Sequence, residues 1–221
     1  MGDARRDQHI DLVRLGYDAV SEHYRGDDDR PPEYAGWLRS LSPRLPPRAD
    51  VLDLGCGCGV PVCRELSALG HKVVGVDLSD RQVERARRLV PQARFIRADA
   101  TEISFDEATF DAIVCLYMLI HVPLDRQERL LRRMRDWLRP GGVLLATVGA
   151  TAWSGHEDDW LGSGAPMWWS HADAASYRRW IAAAGFAIEE DEFVPEGDSG
   201  HQLLIASASA REFNQGSHRP S

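Results

Sequence analysis

The nine residues Val51-Leu52-Asp53-Leu54-Gly55-Cys56-Gly57-Cys58-Gly59 constrain the fold of this chain more than any other stretch. An apolar run interrupted by one acid, then glycine at every second position, reads as a buried strand entering a tight turn. Val60 to Leu69 predicts a helix, with Val62, Leu66 and Leu69 on its inner face and Gly70 as its stop. The glycines therefore stand at a strand-to-helix corner. Missing Cβ atoms there let a ligand reach free main-chain N–H groups.

The next strand, His71 to Leu78, carries Asp77 at its exit, 22 residues after Gly55. That is where a ribose-binding carboxylate belongs in a nucleotide-binding βαβ unit. Two cofactors compete for this geometry. A dinucleotide wants G-x-G-x-x-G, so that the third glycine lets the helix pack behind a pyrophosphate; here the pattern is G-x-G-x-G followed by Val60. Asp53 also points at the loop, where it would repel a pyrophosphate but suit a ligand carrying an ammonium and a sulfonium. The balance favours S-adenosyl-L-methionine over NAD.

The chain resembles the class I S-adenosylmethionine-dependent methyltransferases of the UbiE/COQ5-like small-molecule type. The matching stretches are VLDLGCGCG (51–59), GVDLS (75–79), FIRADATEISF (95–105), FDAIVCLYMLIHVP (110–123) and LRPGGVLLAT (138–147), in the family's order. The resemblance implies a doubly wound, Rossmann-like α/β fold with a seven-stranded sheet, helices on both faces and the last strand antiparallel. It also implies N-terminal helices lying over the cofactor, with a tyrosine touching its methionine end, for which Tyr17 and Tyr24 are the candidates. Asp77 would hold the ribose hydroxyls, Leu78 would lie on the adenine, and Asp99 with Ala100 would meet its amino edge. Gly55, Cys56 and Gly57 would approach the methionine portion with Asp53 behind them, and Leu116 and Tyr117 would border the transferring methyl.

Composition narrows the class further. Lys plus Arg total 26 against 34 Asp plus Glu, a net charge of −8. That argues against a nucleic-acid partner, which needs a basic face. No apolar run approaches the length of a membrane span and no charged-then-apolar leader opens the chain, so a cytoplasmic enzyme with no membrane partner is the expectation. It would act on a small-molecule acceptor as a monomer or homodimer. The four cysteines, Cys56, Cys58, Cys63 and Cys115, lack the paired C-x-x-C spacing of a zinc site and read as small apolar residues, so no metal is expected.

Along the chain, residues 1–47 read as an N-terminal helical cap, 48–209 as the cofactor-binding core, and 210–221 as a disordered tail. Ile10, Val13, Tyr17, Val20 and Tyr24 make one helical stripe, and Tyr34, Trp37, Leu38 and Leu41 a second short one. Ser79 with Gln82 predicts a capping box before the next helix. Pro123 opens a helix whose inward face is Leu130, Leu131, Met134, Trp137 and Leu138 and whose arginines, Arg126, Arg129, Arg132, Arg133 and Arg135, face solvent. Ser170 and Asp173 begin another helix, and Phe186–Val194 pairs with His201–Ser209.

Between strand five and that helix, residues 149–169 show no period and hold four of the seven tryptophans. Such a loop at the ligand edge predicts a substrate-covering insert, with Trp153, Trp168, Trp169 and, beyond it, Tyr177 as acceptor-binding residues. The acids Glu157, Asp158 and Asp159 tilt the acceptor slightly toward an amine. Candidate bases are His121, just past strand four, and His171 and His201 at element starts facing the same mouth. Three activities fit: methyl transfer to an oxygen or nitrogen of a small molecule, in keeping with secondary metabolism; a repurposed S-adenosylmethionine-binding fold-mate such as a cyclase or sensor; and an NAD oxidoreductase, which Val60 and Asp53 disfavour.

Overall fold

The computed structural model describes residues 2–209, with side chains from residue 8. The expected tail at 210–221 lies outside the described residues. The chain forms α1 (Gly2–Tyr24), α2 (Pro32–Leu41), β1 (Asp50–Leu54), α3 (Val62–Ala68), β2 (Lys72–Asp77), α4 (Asp80–Leu89), β3 (Arg94–Arg97) and β4 (Phe110–Cys115). There follow α5 (Leu124–Trp137), β5 (Leu138–Gly149), β6 (Trp153–Glu157), β7 (Met167–His171), α6 (Ala174–Ala183), β8 (Phe186–Glu196) and β9 (Ser199–Ala208).

Seven strands make one sheet in the order β3-β2-β1-β4-β5-β9-β8. Neighbours from β3 to β5 pair parallel, and β9 runs antiparallel to both β5 and β8. The last strand is therefore the reversed one, as the resemblance implied. Side chains alternate across β1 and β4. Leu52, Leu54 and Ile113 pack with Leu131 and Met134 of α5 and Tyr177 and Ile181 of α6. Val51, Ala112 and Val114 pack on the other face with Trp37 and Leu41 of α2, Leu66 of α3 and Val83 of α4. Both faces being covered, the strands read as nearly unbroken apolar runs.

Strand order reverses between β1 and β4, which opens a crevice beyond their carboxyl ends. Asp53 is the polar interruption in β1. It faces α3, where Cys63 Sγ stands 3.1 Å from its Oδ2.

Several local expectations need correction. Leu69 is 60% exposed, because α3 ends at Ala68 and the buried positions are Val62, Cys63 and Leu66. Only half of the capping box forms: Ser79 Oγ accepts the Gln82 N–H at 3.0 Å, but the Gln82 amide oxygen accepts from Ser21 Oγ at 2.9 Å and so fastens α4 to α1. Arg135 is buried and donates to the Gly185 and Ser209 carbonyls, the first of which also accepts the Ser209 N–H at 3.0 Å, so it does not belong to a solvent face.

Residues 149–169 are not an open loop. They and the next few residues fold as an antiparallel hairpin, β6 against β7, with Trp153 opposite His171 and Glu157 opposite Met167. The pattern was illegible because β6 is mostly exposed on both faces while β7 is mostly buried. The hairpin packs on α1 through Met167, Trp168 and Val13.

Candidate active site

The chain leaves β1 in left-handed backbone, with φ of +77° at Gly55 and +52° at Gly57. These two positions need glycine for different reasons. A Cβ at Gly55 would lie 2.5 Å from Cβ of Met118, so packing closes it. A Cβ at Gly57 would meet nothing within 4 Å, and the residue borders an open cleft that a ligand can enter. Asp77 braces the loop. Its Oδ2 accepts the Gly57 N–H at 2.8 Å and its Oδ1 the Ser79 N–H at 2.9 Å, which leaves lone pairs on both oxygens.

The cleft, open to solvent at its mouth, spans about 1090 Å³ beyond the carboxyl edge of the sheet. Every residue assigned to the cofactor from sequence lines it. Asp53, Gly55, Cys56 and Gly57 come from β1 and its loop, Asp77 and Leu78 from the end of β2, and Asp99 and Ala100 from the chain after β3. Leu116 and Tyr117 follow β4, and α1 lays Tyr17 and Tyr24 across the opposite wall.

Burial pushes the Asp53 carboxyl up to about 7, against the pull of the Cys63 thiol, and the nearby Asp77 adds to the rise. Asp77 is likewise pushed by burial up to about 6, against three main-chain donors. Neither has an ion-pair partner among the described residues. These two acids await positive charge or hydroxyls.

His121 ends a single helical turn, Leu119–His121, at the cleft wall. Its Nδ1 lies 2.8 Å from the Trp168 carbonyl, which can only accept, so Nδ1 carries the hydrogen and Nε2 a lone pair. The Tyr17 hydroxyl, 3.0 Å away, donates to that lone pair. Burial pushes the imidazole down to about 4, so it is neutral at physiological pH.

The other two histidines stand elsewhere. His171 donates from Nδ1 to the Thr151 carbonyl at 2.7 Å, at the root of the hairpin. His201 lies 3.0 Å from Glu196 and edge-on to the Tyr117 ring, one layer behind the cleft. Tyr177 is a correction. It is fully buried in the core between α5 and α6, where its hydroxyl donates to Gln127 Oε1 at 2.5 Å, and it does not reach the cleft.

The tryptophans also stand behind the wall. Trp168 stacks on His9 at 4.3 Å between ring centres, Trp169 lies 5.8 Å from His121, and Trp153 is half exposed against Trp169. What they carry is Trp160, which packs edge-on to Tyr17 at 5.1 Å and also touches Tyr24. Sequence reasoning missed Arg25 and Tyr34, which line the cleft from the end of α1 and from α2. No local spacing marks either. The four cysteines are free and buried, and among the described residues no cluster of three or more acids, histidines or cysteines could hold a metal ion.

Residues 27–191 match the family described as methyltransferase domain. The chain belongs to that family. It is 39% identical over 112 residues to 27-O-demethylrifamycin SV methyltransferase of Amycolatopsis mediterranei, covering 47% of this chain and 40% of that protein. It is 34% identical over 115 residues to O-methyltransferase cnsE of Penicillium expansum, covering 48% and 41% respectively. The chain thus spans about two-fifths of the length of these curated relatives.

Among solved structures, an S-adenosylmethionine-dependent methyltransferase of Mesorhizobium loti superposes on this methyltransferase-domain chain with a TM-score of 0.63 at 25% identity, over 79% of this chain and all but 1% of that one. The Burkholderia thailandensis 1,6-didemethyltoxoflavin-N1-methyltransferase, solved with 1,6-didemethyltoxoflavin and S-adenosylhomocysteine, gives 0.70 at 21% identity over 93% and 91%. The cofactor is S-adenosyl-L-methionine. The open cradle at Gly57 and the two unpaired carboxyls suit it. Among the described residues no helix is long and apolar enough to cross a membrane.

Proposed function

We propose that this protein transfers a methyl group from S-adenosyl-L-methionine to a hydroxyl oxygen of a small organic molecule, as a member of the family's small-molecule branch. One observation carries the reading: the cleft joins the glycine loop and its acids to a neutral histidine whose lone pair is held by a tyrosine hydroxyl. In this reading Asp77 holds the ribose hydroxyls, Asp99 the adenine amino group and Asp53 the ammonium of the amino-acid end.

When bound, the cofactor supplies an electrophilic methyl on a sulfonium, so the protein's work is alignment and exclusion of water. Alignment of this kind can be worth roughly 7–11 kcal/mol. Leu116 and Tyr117 flank the reacting end, while α1, backed by the hairpin, closes the cleft over it. A hydroxyl that gains a methyl becomes strongly acidic and must lose its proton. Tyr17 takes that proton as it gives its own to His121 Nε2, and the Trp168 carbonyl steadies the imidazolium through Nδ1–H. A base that titrates at about 4 is strong enough for so acidic a donor and stays unprotonated until needed.

The names of the two relatives support oxygen as acceptor atom, and that of the first, 27-O-demethylrifamycin SV methyltransferase, supports a small-molecule acceptor. The test is to incubate the protein with S-adenosylmethionine and a panel of hydroxylated aromatic and polyketide compounds and follow S-adenosylhomocysteine. Stoichiometric S-adenosylhomocysteine with a methyl ether is the expected result. Conversion of a substrate without S-adenosylhomocysteine would refute methyl transfer and favour a repurposed fold, such as the [4+2]-cyclase SpnF, which superposes with a TM-score of 0.68 at 20% identity.

A further inference from the structure

Two arginines line the cleft, and among the described residues only one has a carboxylate partner. Arg14 is paired with Asp18 at 3.2 Å and Asp11 at 3.4 Å. Arg25 has no carboxylate partner among the described residues; its one side-chain hydrogen bond there is to the Tyr34 hydroxyl at 3.3 Å. Its guanidinium lies 5.0 Å from the centre of the Tyr34 ring and 5.6 Å from that of Tyr24, so two aromatic faces hold it in place.

The main chain beneath it is fixed as well. The Arg25 carbonyl accepts from Arg85 at 2.7 Å, and buried Arg85 is anchored in turn on Asp27 at 2.7 Å. Burial pushes the Tyr34 and Tyr117 phenols and the Cys58 thiol upward, and Arg25 is a cation that pulls each of them back. Its field therefore reaches both the glycine loop and the chain that leaves β4. The remaining cleft charges, Asp53, Asp77 and Asp99, are acids suited to cations and hydroxyls. A bound anion has one place to go.

We propose that Arg25, presented between Tyr24 and Tyr34, is a carboxylate-recognition residue of this cleft. The assignment rests on the reading of the cleft as the cofactor and acceptor site. A planar guanidinium fork matches a carboxylate with two parallel hydrogen bonds, a fit that neither Lys nor a hydroxyl reproduces. Two bound molecules could bring that group: the amino-acid end of the cofactor, or an acceptor that carries an acid beside its hydroxyl.

Calorimetry on the full chain separates them, with S-adenosylhomocysteine and 5′-methylthioadenosine as probes, since the second keeps the nucleoside and sulfur but lacks the amino acid. If the cofactor supplies the carboxylate, Arg25→Gln binds S-adenosylhomocysteine at least tenfold more weakly and 5′-methylthioadenosine within twofold of wild type, with Arg25→Lys in between. If the acceptor supplies it, S-adenosylhomocysteine binding is unchanged, while the loaded wild type takes up 1-naphthoate in preference to 1-naphthol and Arg25→Gln loses that preference.

Equal weakening of both nucleosides would show general damage to the cleft and overturn the assignment. So would unchanged S-adenosylhomocysteine binding with no naphthoate preference in wild type. Wild-type protein that binds neither nucleoside would instead fail the cleft reading itself.

Discussion

Replacing Asp53 by Asn tests the electrostatics of the cleft without touching its shape. The side chain is 2% exposed and titrates at about 7, against an ordinary value of 3.8. That displacement of roughly three pH units corresponds to about 4 kcal/mol of cost for the charged form in the empty cleft. The sign follows from proton counting. Between about pH 4 and pH 7 the folded protein keeps this proton while the unfolded chain has released it, so the contribution of Asp53 to stability falls as pH rises through that window.

Asp53→Asn removes the titration but leaves an oxygen for the Cys63 thiol. The variant should lose close to one proton's worth of pH slope and be at least as stable as wild type at pH 8, by up to about 4 kcal/mol. Cofactor binding should reverse the advantage. An ammonium beside Asp53 favours the carboxylate, so wild type should release close to one proton on binding at pH 6 and the variant far less. Urea unfolding from pH 4 to 8 measures the first effect, and calorimetry in buffers of different ionisation enthalpy the second. Identical pH slopes for the two proteins, or binding with no proton release, would refute the reasoning.

Gly57→Val should abolish S-adenosylhomocysteine binding and also lower the melting temperature, because the new side chain would project into the cleft and a β-branched residue resists a backbone at φ +52°; normal affinity by calorimetry would contradict the placement of the loop. Tyr17→Phe removes a hydroxyl that donates to neutral His121, so the imidazole should titrate above its present value of about 4 but stay well below 6.5 because burial is kept, and the stability lost on acidification below pH 6.5 should shrink slightly. Nuclear magnetic resonance of the ring protons reads this directly, and an unmoved titration would mean that the hydroxyl does not face Nε2. Trp168→Ala should cost about 3–5 kcal/mol in denaturant unfolding, because the ring is buried between α1 and the hairpin; an unchanged midpoint would mean that the hairpin is only a cover.

The parts of this molecule that were legible in sequence are those built from neighbours along the chain. The Gly55–Gly59 turn, Asp77 at the exit of β2 and the continuous apolar β4 each combine a local backbone preference with a buried strand, and such signals survive without tertiary knowledge. The wall opposite them was harder to see. Tyr17 and Tyr24 fell on a recognisable stripe, yet Arg25 lies one residue beyond the helix and enters the cleft only because Arg85 and Asp27 fix the turn that follows. Tyr177 has the same amphipathic setting as a pocket residue. Tyr177 and Ile181 turn their side of α6 into core, where the phenol finds Gln127, fifty positions away. The tryptophan segment failed for a different reason: a hairpin with one exposed strand and one buried strand mixes two periods, and neither is visible alone.

β9 is the last strand among the described residues but sits in the interior of the sheet, between β5 and β8. During synthesis the half of the sheet from β3 to β5 can assemble while β5 still has an open edge, its Val143–Val148 run lacking the partner that Gln202 to Ser207 later supplies. β8 has no place to dock until then either, since its ladder is made with β9. Completion of the sheet therefore waits on the final strand, and a ribosome that stalls before residue 199 holds a chain with two sticky edges rather than a shortened enzyme. A protease that trims the chain past Ala208 would likewise not shave a terminus. It would unpick the ladder through which β8 joins the sheet.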